Sequence, residues 1–275
     1  MKIIFLAVLF FFSACIKLNF GYRLAPRSMM SKLDDTFDFK SDRFKQVRSQ
    51  LDVDFKSNRT QVAKAVLNHV DEILLLVSKN EASENDFKTL MNSMQSSRIL
   101  LISLFKNSFA TVINDLTSKE IENLDEFSNK KFKEQDKKIS EKNNYQEKQM
   151  SSFENVMDFL FDSVNKDQLA IYNQFINQHH DFYIKQLGFR KDFSKKFDAL
   201  ADKKSELLIY VMNYYAGDPS VRSPEQQKQL EDFAAELHKM MLKVWSASTP
   251  KQKDKLKENM QDLQAELKEM MQDQN

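Results

Sequence analysis

Apolar residues recur along most of this chain at intervals of three and four. Phe44, Val47, Leu51, Phe55, Val62, Val66, Val70, Ile73, Leu74 and Val77 form the longest stripe, one face of a long amphipathic helix. Ser83 to Leu116 repeats the design with Phe87, Leu90, Met91 and Met94, and its denser run Ile99 to Leu104 predicts a helix buried on more than one side. A third stripe starts at Phe153 and continues through Leu160, Phe175, Phe193, Leu207 and Val211. Gly188 predicts a kink within it, and Gly217, Asp218 and Pro219 end it. Pro224 to Ser246 and Pro250 to Gln272 read as a closing hairpin, with Leu230, Phe233, Met240 and Trp245 facing Leu256, Met260, Leu267 and Met270.

Helix starts punctuate this pattern. Thr117 with Glu120, Asn165 with Gln168, Ser223 with Gln226 and Thr249 with Gln252 each have capping-box spacing, in which the first side chain accepts from the helix backbone and the second reaches back. Pro224 and Pro250 stand at the first helical position, where a missing N–H costs little. Upstream, Leu33 to Phe39 alternates aspartates with aromatics and reads as a short helix or turn docking Leu33, Phe37 and Phe39. Ser128 to Gln149 is rich in Lys, Glu, Asn and Gln, the pattern of a charged helix projecting into solvent.

The fold class that follows is all-α, an elongated bundle of about five to seven amphipathic helices. Composition agrees, since three glycines and four prolines in 275 residues cannot supply the tight turns of a β protein. The 23 phenylalanines and 13 methionines provide a core despite 29% charged residues.

The start of the chain has a different character. Met1 and Lys2 precede an unbroken apolar run from Ile3 to Phe12, then Ser13, Ala14 and the sole cysteine, Cys15. This is the layout of a secretory signal, and a cysteine at the cut makes it a lipobox whose thiol would carry acyl chains. A run of about ten residues is too short to span a bilayer, which takes about 20. An ordinary signal cut near Ala14 would leave an exposed thiol on a secreted protein. The expected divisions are therefore a signal peptide over 1–14, a lipidated N-terminus and leader over 15–33, a long-helix body over 34–216, and a C-terminal hairpin over 217–275. Removing Met1 to Ala14 leaves 40 basic and 40 acidic residues, without the electrostatic footprint of a nucleic-acid binder. With Cys15 acylated, no thiol is left for a disulfide.

Catalytic chemistry finds little to build on. The histidines are His69, His179, His180 and His238. His179 and His180 diverge by about 100° on a helix and do not share a ligand face. His69 followed by Glu72 reverses the order used in di-iron bundles, with no second copy. No Walker loop, nucleophile elbow or dinucleotide fingerprint occurs. The reading is a non-enzyme with no metal, no cofactor and no small-molecule substrate.

Cys15 followed by Tyr22, the stretch Leu33, Asp34, Asp35, Phe37 and Asp38, the pair Asn58 and Arg59, and the starts Leu116, Thr117, Glu120 and Val164, Asn165, Gln168 resemble an uncharacterised family of Gram-negative envelope lipoproteins with an all-helical domain of unknown function. Trp245 as the only tryptophan, and the dominance of lysine over arginine, depart from that family's habit. The resemblance implies an envelope lipoprotein with a helical fold, and no activity. It also suggests that Arg59 pairs with Asp34 or Asp38 to pin the leader to the first helix. In the lipoproteins this start resembles, an aspartate after the cysteine holds the protein at the inner membrane; Ile16 therefore points to the outer membrane. Thr249, Pro250, Lys251 and Gln252 are also similar to a signature of small periplasmic stress chaperones.

The function expected from these residues is a non-catalytic structural or interaction module, held to the bilayer through Cys15, with its body in the periplasm and envelope proteins as partners. The alternative is an ATP-independent chaperone that binds exposed apolar segments on its Met-rich helices.

Overall fold

The computed structural model describes residues 18–79 and 81–272, with the backbone alone for 18–20. The expected signal peptide and lipidated Cys15 lie outside the described residues. Among these there are eleven α-helices and no strands. They are α1 (Leu18–Phe37), α2 (Ser41–Ser78), α3 (Glu84–Leu104), α4 (Lys106–Asn114), α5 (Ser118–Ser140) and α6 (Lys142–Phe161), followed by α7 (Lys166–Gln178), α8 (His180–Ala199), α9 (Lys204–Ala216), α10 (Pro224–Ser246) and α11 (Pro250–Gln272). A single 3-10 turn covers Pro219–Val221.

The all-helical class is as expected, but the helices outnumber the expected five to seven. The additional breaks fall where the apolar stripe runs on without interruption. Phe105 (φ −101°, ψ 17°), His179 (φ −109°, ψ 18°) and Leu200 (φ −103°, ψ 1°) turn the chain between successive helices. These dihedrals lie in the bridge region, open to ordinary residues, so neither glycine nor proline marks the spot. Gly188 marks no break, because α8 runs straight through it.

The long helix α2, about 57 Å at 1.5 Å per residue, is the axis of the bundle. Val47, Leu51, Ala63 and Val70 are buried along it. Helices α1, α3, α4 and α11 all pack against α2, and α11 makes the most extensive contact. The last two helices therefore do not form a hairpin with each other. After the turn at Ala247–Thr249 they diverge: α10 packs on α3 and α7, whereas α11 lies along α2 and touches α1 and α6. Met240, Met260 and Met270 are buried in the core, so most of the Met-rich pattern is filler between helices.

Polar joints fix the break between α3 and α4. The buried Asp54 carboxylate accepts the Ser108 backbone N–H (2.9 Å), the Ser108 hydroxyl (2.7 Å) and the Gln50 amide (2.9 Å). Asn58 Nδ2 donates to the Leu104 carbonyl (2.7 Å). Ile99 and Leu100 are 51% and 41% exposed, so the dense run beside this break is not buried all round. The charged helix α5 does not stand out in solvent either. It packs on α8, where Lys191 meets Asp136 (2.7 Å) and Arg190 donates to Gln135 (3.0 Å).

At the far end of α9, Gly217 adopts a left-handed conformation (φ 77°). Gln95 Nε2 donates to the Ala216 carbonyl (2.7 Å), and Arg98 donates to the Tyr214 and Tyr215 carbonyls, satisfying helix-end acceptors that lack intrahelical donors.

All four expected capping boxes form. A fifth, Ser83 with Asp86, opens α3. Two of them meet back to back. Asn165 caps α7 and Thr249 caps α11, and the Gln168 and Gln252 side chains of these caps bond directly across the buried junction.

Candidate functional site: the first helix

The candidate site is α1, the helix three positions after Cys15. Its buried face carries Tyr22, Pro26, Met30 and Phe37, one side of a helix at spacings of four and seven. Met30 has no exposed surface. Pro26 lies inside the helix and removes one backbone donor. The Tyr22 hydroxyl donates to the Phe55 carbonyl of α2 (2.7 Å), and the two rings meet edge to face at 5.3 Å. Burial pushes the Tyr22 phenol well above its ordinary pKa, and the Arg59 charge pulls it part of the way back. What reads as a leader between lipid and body is therefore a core helix for most of its length.

The segment after α1 turns tightly. Asp38 has φ 51°, a left-handed position that Asp tolerates better than most residues. Asp34 Oδ1 accepts the Phe39 N–H (3.2 Å), and Asn123 of α5 donates to the Phe37 carbonyl (2.9 Å). Phe37 and Phe39 stack at 5.3 Å and are buried, as the alternating pattern suggests.

This geometry places Asp34 and Asp38 apart from Arg59. Helices α1 and α2 run antiparallel about the turn at Asp38 to Lys40, so both aspartates sit beside the start of α2. Arg59 lies about 27 Å further along α2, level with Tyr22. The cation whose charge acts on Asp38 is Lys119 of α5, and on the other side of the turn the Arg43 guanidinium lies 5.7 Å from the Phe39 ring centre. Arg43 also donates to the Val112 carbonyl (2.6 Å) and pairs with Asp115 (3.3 Å) and Glu120 (3.6 Å), tying the first turn to the start of α5. In the sequence, Arg43 looks like any other polar residue on the α2 stripe, and its partners are about 70 positions away.

The histidines are spread through the structure. His69 lies 3.4 Å from Glu72 and 3.3 Å from Ser93. His180 Nε2 is 3.0 Å from the Ile139 carbonyl. His179 packs among Phe175 and Phe233, and burial lowers the pKa of His238. Among the described residues, no group of three or more His, Cys, Asp and Glu side chains is arranged to hold a metal ion. Two shallow clefts, one beside Gln146 and Asn173 and one beside Phe44 and Arg48, have no histidine in their lining. None of the described helices is long and apolar enough to cross a membrane.

No family model, curated protein or solved structure matches this chain. Its functional reading therefore rests on its own residues.

Proposed function

We propose that this protein is a lipoprotein of the Gram-negative envelope, anchored through acylated Cys15 to the outer membrane. Its helical bundle then faces the periplasm as a non-catalytic structural or interaction module. The observation that carries the reading is the apolar run Ile3 to Phe12, leading through Ser13 and Ala14 to the only cysteine of the chain. Supporting it, helix α1 begins at Leu18 and is locked into the core through Tyr22 and Met30. A load on the anchor would therefore reach the bundle without a long linker. Two or three acyl chains on one cysteine give effectively permanent attachment, since each buried methylene contributes about 0.8 kcal/mol. The test is metabolic labelling with radioactive palmitate. Label on the wild-type chain that disappears in Cys15→Ser supports the anchor, and an unlabelled wild-type chain refutes it.

A further inference from the structure

We infer that the outward face of α1 docks on the surface of an anionic phospholipid bilayer, so that the bundle is held with α1 against the membrane and not merely tethered near it. This rests on the proposed acylation of Cys15. From Cys15 to Leu18 is three residues, a fully extended reach of at most about 11 Å. With the sulfur's acyl chains in a bilayer, the start of α1 therefore stays within that reach of the headgroups, and the helix surface decides whether α1 lies against them.

The face that α1 turns away from the core suits that place. Arg23, Leu24, Arg27, Ser28 and Ser31 are exposed on it, Lys32 flanks it, and Asp35 is exposed only in the last turn, at the end remote from Cys15. Leu24 and Met29 are each 40% exposed. Basic side chains around exposed apolar ones are the composition of a helix that lies in a membrane interface. The long Arg and Lys stems can lie along the apolar boundary while their charges stay at phosphate level.

Charge is segregated along the chain in the same sense. Residues 15–33 contain Lys17, Arg23, Arg27 and Lys32 and no acidic residue, which leaves 36 basic against 40 acidic residues in 34–275. A mature chain of zero formal charge is thus a segment of +4 beside the anchor and a body of −4. An anionic surface attracts the first and repels the second, which orients the molecule. The occupant this complementarity selects is an anionic lipid headgroup layer.

The test uses the full chain expressed with its signal and purified in detergent. Acylation occupies the only native thiol, so Leu24→Cys provides a single site for an environment-sensitive dye. The labelled protein is reconstituted into vesicles of phosphatidylglycerol or of phosphatidylcholine, and Ile209→Cys on α9, an exposed apolar position remote in sequence (61% exposed), serves as the comparison. The expected result is a blue-shifted emission at position 24 in phosphatidylglycerol alone. That shift is lost at high salt and in Arg23→Gln/Arg27→Gln, while position 209 is unchanged throughout. Equal emission at position 24 in the two lipids, or a shift that survives the double substitution, overturns the inference. The mass of the N-terminal peptide from the same sample separates the two proposals. Acylated Cys15 with an insensitive dye overturns the docking alone, and a free Cys15 thiol overturns both.

Discussion

Gln252 Nε2 donates to Gln168 Oε1 across 3.0 Å inside the core, and each glutamine also closes the cap of its own helix. The Gln168 carbonyl further accepts the Asn165 N–H (2.9 Å), and its amide donates to Ser248 Oγ (2.9 Å). The Gln252 carbonyl accepts the Thr249 N–H (2.9 Å), and its amide also donates to the Ser163 carbonyl (3.0 Å). A buried polar network stabilises only when its members are satisfied, and this one is.

Replacing either glutamine should therefore cost more than an exposed cap would. Gln168→Leu or Gln252→Leu removes one cap, the bond across the junction and the other buried bonds of that side chain, for a loss of about 2–4 kcal/mol. The melting temperature should fall by about 5–15 °C. The double substitution removes both halves of the pair and should cost clearly less than the sum of the singles. Thermal denaturation of the four proteins measures this coupling, and additive losses would contradict it.

Each half of that joint is legible in the sequence, because Asn165 with Gln168 and Thr249 with Gln252 are local patterns that report helix starts. Their meeting is not, since they stand more than 80 residues apart and nothing in a capping box names a partner. The same division runs through the fold. The α2 stripe and the Gly217 terminator are local and read correctly. The turns at Phe105 and His179 use backbone conformations that ordinary residues adopt, so the apolar period passes over them. The two C-terminal helices appear complementary because each has one apolar face, but those faces are covered by α2, α3 and α7. Of the candidate site, the anchor pattern at Cys15 is sequence-local, whereas Tyr22 bonding to Phe55 and the separation of Asp34 from Arg59 depend on the antiparallel packing of α1 on α2.

Gly217 supports a second prediction. A Cβ there would lie 2.8 Å from Gln95 Nε2 and 3.1 Å from Arg98 Nη1, the two side chains that satisfy the end of α9. Gly217→Ala adds a left-handed backbone penalty of about 1–2 kcal/mol and displaces these donors. A drop in the urea midpoint with an unchanged slope is the expected outcome.

Asp198 gives the fold a pH dependence. Loss of solvent among its neighbours, then the charge and hydrogen bond of Asp125 on α5, raise its carboxyl to about 6 from the ordinary 3.8. A carboxyl raised in the folded state contributes stability that is complete below pH 4 and is lost as pH rises through 6. Asp198→Asn should therefore melt higher than wild type at pH 7.5. Solvent screening holds the effect below about 1 kcal/mol, or about 1–3 °C. The difference should close by pH 4. A gap of the same size at both pH values would assign it to packing and not to the shared proton.

One sulfur atom, three residues before a helix that belongs to the core, carries the proposed anchor. Mass spectrometry of the N-terminal peptide, taken from protein made in a Gram-negative host, tests it most directly. The predicted peptide begins at Cys15 and carries the added mass of a diacylglyceryl group on sulfur. A peptide that begins at Cys15 with an unmodified thiol, or one that still begins at Met1, would contradict it.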